Sequence, residues 1–198
     1  MKDWFKHWFN SHFYFLLYQK RNEEEAKLFF ELIKKNISIN SDWKILDFCC
    51  GYGRLSKVIA REGFYVTGVD LSEKFIQQAI EESKKENLSI EFINCDARNF
   101  NGNEKFNLGI SFFTSFGYFS DEENELTFKN LVRSISKNGW IVFDYFNPDF
   151  VLRNLIEKES FEIDNYKIEI RRQIQNLRIN KIIKICSDEK CDKYIESV

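Results

Sequence analysis

Lys44-Ile45-Leu46-Asp47-Phe48-Cys49-Cys50-Gly51-Tyr52-Gly53-Arg54 decides the fold. A short apolar run ends in an acid, and two glycines lead directly into a helical pattern. Glycine has no Cβ and tolerates φ/ψ values closed to other residues, so such a turn lets backbone come close to a bound nucleotide. The next apolar run, Phe64-Tyr65-Val66-Thr67-Gly68-Val69, ends in a second acid, Asp70. A carboxylate roughly 20 residues beyond a glycine turn is placed to hold ribose hydroxyls. The segment therefore reads as a nucleoside-cofactor site. Each part also has a plainer reading: Gly51 and Gly53 suit any tight strand-to-helix turn, and Asp70 suits a helix cap.

Working outward, strands are predicted near 44–48, 64–69, 89–94, 106–112 and 139–145, with helices near 53–62, 73–86 and 121–136 between them. Ser72 is the expected N-cap of the second of these helices, and Phe75, Ile76, Ala79 and Ile80 its buried face. Strands alternating with helices at this spacing predict a doubly wound, Rossmann-like parallel sheet covered on both faces. In such a sheet ligands bind at the carboxyl ends of the strands. Asp47, the Gly51–Gly53 turn, Asp70, Asp96 and the run from Phe112 to Phe119 all fall at such ends. Upstream, Asn22 to Asn36 reads as a helix, with Glu23, Glu24 and Glu25 in its first turn and Lys34 and Lys35 in its last. Beyond Pro148 the pattern becomes apolar-charged alternation over 159–174, 177–186 and 191–197, which predicts half-buried antiparallel strands.

The 198 residues, 43% hydrophobic and 30% charged, suit one ordinary globular domain. A net charge of -2 supplies no basic field for nucleic acid. The aromatic opening, Trp4 to Tyr18, is interrupted by Lys6, His7, Asn10, Ser11 and His12 and is too short and polar to cross a bilayer; a helix packed on the domain is expected. Five cysteines are an odd number. They are read as free thiols in a reducing, cytoplasmic setting, with Cys186 and Cys191 unpaired on a hairpin and a shared metal as the alternative.

Four segments in order resemble class I S-adenosylmethionine-dependent methyltransferases. Ile-Leu-Asp-Phe-Cys-Cys-Gly-Tyr-Gly-Arg is similar to their first motif, Val66-Thr67-Gly68-Val69-Asp70-Leu71-Ser72 to the second, and Asn94-Cys95-Asp96-Ala97-Arg98 to the adenine-binding motif. Phe113-Thr114-Ser115-Phe116-Gly117-Tyr118-Phe119 resembles the fourth-strand segment of a small bacterial branch, as do Trp8-Phe9, Tyr14, Leu17-Tyr18, Arg21 and Glu25-Ala26 at the start. The resemblance implies S-adenosylmethionine as cofactor. Gly51 and Gly53 would contact its methionine part and Asp47, through water, its ammonium. Asp70 would take both ribose hydroxyls, Asp96 the adenine amino group and Ala97 a backbone contact. Tyr18 and Arg21 would meet the methionine carboxylate, and Cys49, Leu71 and Phe113 complete the expected cofactor set. Phe116, Tyr118 and Tyr145 would line the acceptor pocket.

No catalytic side chain stands out, and no metal is expected; His7 and His12, on an expected N-terminal helical lid over 1–36, are candidate bases. The expected layout is a single domain with a cofactor core over 41–147 and an antiparallel extension over 149–198. In the resembling family a further helix and strand pair follow such an extension. This chain therefore looks cut short, leaving strand five with an open edge through which a homodimer could form. Methyl transfer to a small-molecule acceptor is the leading reading. A non-catalytic S-adenosylmethionine-binding module or partner subunit is the alternative, with a nicotinamide oxidoreductase third.

Overall fold

The computed structural model describes residues 3–198, so the first two residues of the expected lid lie outside it. The chain forms two compact units, residues 21–145 and, from both ends of the chain, residues up to Lys20 with Phe146–Val198. In chain order the elements are α1 (Trp4–Phe9), α2 (His12–Tyr18), α3 (Glu23–Asn36), β1 (Lys44–Phe48), α4 (Arg54–Arg61), β2 (Tyr65–Asp70), α5 (Glu73–Lys85), β3 (Ile90–Asn94), β4 (Phe106–Ser111), α6 (Asp121–Ser134), β5 (Ile135–Phe143), α7 (Pro148–Asn154), β6 (Lys158–Ile163), β7 (Tyr166–Gln175), β8 (Arg178–Cys186) and β9 (Cys191–Ser197).

In the unit of residues 21–145, five parallel strands run in the order β3-β2-β1-β4-β5. Strand order reverses between β1 and β4, the place where open α/β sheets bind ligands. Alternation along β1 sends Ile45 to one layer, against Ala26, Phe30 and Ile33 of α3 and Leu55 and Ile59 of α4. Leu46 and Phe48 point to the other, against Leu131 of α6. Asp47 shares the face of Ile45 and so looks toward α4. The helices begin where their caps require: Asn22, Ser72 and Ser120 each accept a backbone N–H from the first turn, and Ser120 with Glu123 forms a capping box. β5 stands at one edge of the sheet.

In the other unit, four antiparallel strands follow the order β6-β7-β8-β9. Ile168, Ile170, Ile183 and Ile185 form its buried side. The aromatic helices supply Trp4, Phe5, Trp8 and Phe13 to this unit's buried residues. The Trp8 ring lies 4.7 Å from that of Tyr194 on β9. Its indole Nε1 donates to Glu196 at 2.6 Å, the Tyr18 hydroxyl donates to the same carboxylate at 2.6 Å, and Lys181 donates to Tyr18 at 2.7 Å.

Several expectations change here. The segment expected as one lid over 1–36 divides: α1 and α2 belong with the C-terminal sheet, whereas α3 belongs with the parallel sheet. The expected strand over 159–174 is two strands, because Asp164 (φ 51) and Asn165 make a two-residue turn between Ile163 and Tyr166. α7 was not anticipated, although Asn147 caps it and Pro148 opens it. Cys186 and Cys191, opposite one another on β8 and β9, are joined in a disulfide rather than being free thiols. That pairing removes both the unpaired reading and the metal alternative, and the cysteine count ceases to argue for a reducing compartment. Cys49, Cys50 and Cys95 are free. Among the described residues no helix is long and apolar enough to cross a membrane.

Candidate cofactor site

The turn after β1 places three residues in the left-handed region: Cys49 (φ 64), Gly51 (φ 57) and Gly53 (φ 75). A Cβ on Gly51 would meet nothing within 4 Å, so its backbone is open to a ligand; at Gly53 a Cβ would approach Phe92 to 2.9 Å. Asp70, at the end of β2, ties this turn to the next one. Its Oδ2 accepts the Gly51 N–H at 2.9 Å and its Oδ1 the Ser72 N–H at 2.8 Å. Each oxygen keeps a lone pair for a further donor. Burial pushes the Asp70 carboxyl up, and the backbone N–H groups of Ser72, Gly51 and Leu71 oppose that rise.

Asp47 is 2% exposed, and its Oδ2 accepts the Ser56 hydroxyl of α4 at 2.6 Å. Burial raises its pKa to about 6, against hydrogen bonds from Ser56 that favour the carboxylate. This side chain anchors α4, and thereby the glycine turn, to β1. The Cys49 and Cys50 thiols are raised well above their usual range by burial, then by neighbouring carboxylates, and so remain protonated at neutral pH.

After β3, Asp96 is clamped by Arg98: Nε donates to Oδ1 at 3.0 Å and Nη2 to Oδ2 at 2.6 Å. Arg98 also reaches Glu123 at 2.8 Å and lies over the Phe119 ring at 4.4 Å. Ala97 is buried and its carbonyl accepts from Asn130; the Leu71 carbonyl accepts from Asn94 at 2.9 Å.

The segment after β4 is strained. Phe113 (φ 65) and Thr114 (φ 51) are both left-handed without being glycine. Asp144, just past β5, holds them: its carboxylate accepts the Phe113 N–H at 2.8 Å and its carbonyl the Thr114 N–H at 3.2 Å. The Phe113 ring so presented lies under two guanidinium groups, Arg21 at 4.1 Å and Arg54 at 5.2 Å.

Within this unit Arg21, Asp47, Cys49, Gly51, Gly53, Asp70, Leu71, Asp96, Ala97 and Phe113 thus fall at, beside or over the carboxyl end of the parallel sheet. Phe116 packs edge-on to Phe143 at 5.4 Å, Tyr118 is half-buried and Tyr145 is 43% exposed. Tyr18 belongs to the other unit, on Glu196 and Lys181. There too His7 stacks on Tyr194 and His12 lies against Phe13. Arg54, Glu25 and Asp144 were not foreseen. Arg54 was in view as the residue after Gly53, but only a tertiary contact distinguishes it from an ordinary first-turn arginine.

Residues 45–139 match a methyltransferase domain family. The core has the fold of class I S-adenosylmethionine-dependent methyltransferases. The chain is 34% identical over 127 residues to a candidate methyltransferase of Geobacillus sp. (strain WCH70), covering 62% of this chain and 51% of that one. It is 28% identical over 123 residues to rat (Rattus norvegicus) glycine N-methyltransferase, covering 55% and 42%. The chain thus spans about half the length of the curated relatives it matches. The fold is shared with an S-adenosylmethionine-dependent methyltransferase from Clostridium acetobutylicum, at TM-score 0.74 and 20% identity over 94% of this chain and 77% of that one. It is shared as well with S-adenosylmethionine-bound CalS10 of Micromonospora echinaspora, at TM-score 0.67 and 15% identity over 95% and 81%.

Proposed function

We propose that this chain transfers the methyl group of S-adenosylmethionine to a small-molecule acceptor. The observation that carries the reading is Asp70, whose two oxygens each hold one backbone N–H at adjacent strand ends and each keep a lone pair, as two ribose hydroxyls require. The open backbone at Gly51 fits the same ligand. Asp96 and Ala97 are the proposed adenine side, with Arg98 fixing the Asp96 carboxylate in place.

Bound S-adenosylmethionine supplies an activated methyl on a sulfonium, so alignment and exclusion of water remain for the chain, work that can contribute about 7–11 kcal/mol. Phe116, Phe143 and Tyr145, at the ends of β4 and β5, supply an apolar surroundings for the acceptor. A small acceptor is in keeping with the glycine and the amino pentose named for the rat enzyme and CalS10. The same core also occurs in the [4+2]-cyclase SpnF, at TM-score 0.50 over 59% of this chain, which makes transfer itself a step to be measured alongside binding.

Calorimetry with S-adenosylmethionine tests the site: Asp70→Ala weakens binding at least about tenfold, since hydrogen bonds to a charged acceptor are worth roughly 1.5–3 kcal/mol each. Equal affinities for wild type and variant would sink the assignment. Transfer of labelled methyl to a panel of small amines, alcohols and thiols tests the reaction.

A further inference from the structure

The hairpin of β8 and β9 is closed at its turn by unfavourable pairs. From the turn inward, Cys186 stands opposite Cys191, Ile185 opposite Asp192, Lys184 opposite Lys193 and Ile183 opposite Tyr194. Ile183, Ile185 and Tyr194 are buried, so alternation turns Cys186, Lys184, Cys191 and Lys193 to the other, outer side of the sheet. An isoleucine gains little from an aspartate across the ladder, and two lysines directly opposite one another repel. The carboxylate in register with Lys184 is Glu169 of β7, which lies 3.3 Å from Lys167. The first attractive pair inward is Ile183 with Tyr194. Closure of the turn end therefore falls on the Cys186–Cys191 bond and on the loop it encloses, where the Ser187 N–H donates to the Lys190 carbonyl at 2.8 Å.

The aromatic helices depend on that end. β9 is an edge strand, bonded to β8 alone. Besides meeting Trp8, Tyr194 accepts the Ser11 hydroxyl at 3.1 Å and lies 5.3 Å from the His7 ring. The far end of β9 is pinned separately, since Ile179 and Val198 exchange two backbone hydrogen bonds, at 2.7 and 3.1 Å. Opening would thus run from the turn as far as Tyr194 and stop there.

The disulfide is also placed to react. Cys191 is exposed, so a thiolate can reach its sulfur. Lys167 stands in register with Cys186, and Lys184 and Lys193 flank the pair on the same side of the sheet. Lysines beside a cysteine lower its pKa, and a sulfur of lower pKa leaves faster.

We propose that Cys186–Cys191 is a thiol–disulfide exchange site whose co-substrate is a dithiol, and that its reduction releases β9 between the turn and Tyr194, loosening the seat of α1 and α2. One thiolate of the dithiol bonds to the Cys191 sulfur while the Cys186 sulfur leaves with the electron pair and takes a proton. The second thiol then closes on the first and releases the Cys191 thiol. Two electrons and two protons pass to the hairpin, and the dithiol ends as a disulfide. An oxidised dithiol reverses both steps.

Hydrogen exchange of the whole chain, read by mass spectrometry with and without dithiothreitol in native buffer, tests this. Thiol labelling after quenching should count three groups in the untreated chain and five in the treated one. Amides over 184–194 should then exchange at least about tenfold faster, within what a disulfide closing a short loop contributes, and those over 3–18 should follow. Amides over 44–48 and 65–70, in the parallel sheet, should stay within about twofold. The double variant Cys186→Ser, Cys191→Ser should show the fast pattern from the outset and ignore dithiothreitol. Lys193→Glu, which makes the repelling pair attractive, should restore most of the protection in the reduced chain. A disulfide that yields only in denaturant, amides unmoved by reduction, or a serine variant as protected as the oxidised chain would each overturn the proposal. So would acceleration spread over the whole chain, or no recovery with Lys193→Glu.

Discussion

Asp47→Asn should make stability respond to pH differently from the wild type, because the buried carboxyl is the group being titrated. Its pKa in the folded chain is about 6, against an ordinary 3.8. The folded state therefore holds the proton more tightly than the unfolded state does. Stability from this group is fully present below about pH 3.8 and is lost as pH rises through about 6. The whole difference is worth about 3 kcal/mol, and between about pH 4 and 7.5 some 2 kcal/mol of it is lost. Asparagine does not titrate, and it keeps one acceptor for Ser56 while giving up the other, a cost independent of pH. The assay is urea unfolding of both proteins at about pH 4 and 7.5, either side of the pI of 5.9. Relative to wild type, the variant gains about 2 kcal/mol on going from the lower pH to the higher. A difference between the two proteins that stays flat across pH would refute the reasoning, since the buried charge would then cost nothing.

Two further outcomes follow from the geometry. Asp144→Ala removes the acceptor that holds the Phe113 N–H and should weaken S-adenosylhomocysteine binding by roughly tenfold, the lower end of the scale of one hydrogen bond to a charged group; Asp144→Asn, which keeps an oxygen, should recover most of it in the same titration. Thiol counting in denaturant should find three groups, Cys49, Cys50 and Cys95, before reduction and all five cysteines afterwards.

The parallel sheet was legible because its signals are local and periodic. The run from Lys44 to Phe48, the charged ends of the helix after Asn22 and the cap at Ser72 each carry their reason within a few residues, and these elements begin within one residue of expectation. β5 was read as starting at 139, whereas it starts at Ile135, because Lys137 and Asn138 interrupt the apolar pattern around an irregularity in its pairing with β4. The turn at Asp164 was masked by alternation that continues through it into Tyr166. At the site, glycines and strand-end acids could be named from spacing. The duties of those acids were less visible: Asp47 is committed to Ser56, a partner nine residues on, and Asp96 to Arg98. Glu25 and Arg54 acquire meaning only when α3 and α4 come together, and Asp144 only when β5 pairs with β4. The Cys186–Cys191 pair was misread because odd cysteine counts speak about whole chains, whereas pairing is decided by strand register.

The second unit is assembled from the two ends of the chain, and this gives synthesis an order. Trp8 finds its hydrogen-bond partner in Glu196, 188 positions later. On a ribosome adding roughly 5–20 residues per second, that is on the order of ten to forty seconds during which the aromatic helices lack their sheet. The parallel core, a single continuous stretch, is complete well before then. A nascent chain with residues up to 145 outside the ribosome would thus carry a finished parallel core while the aromatic helices still lacked their sheet, the species a chaperone would meet first.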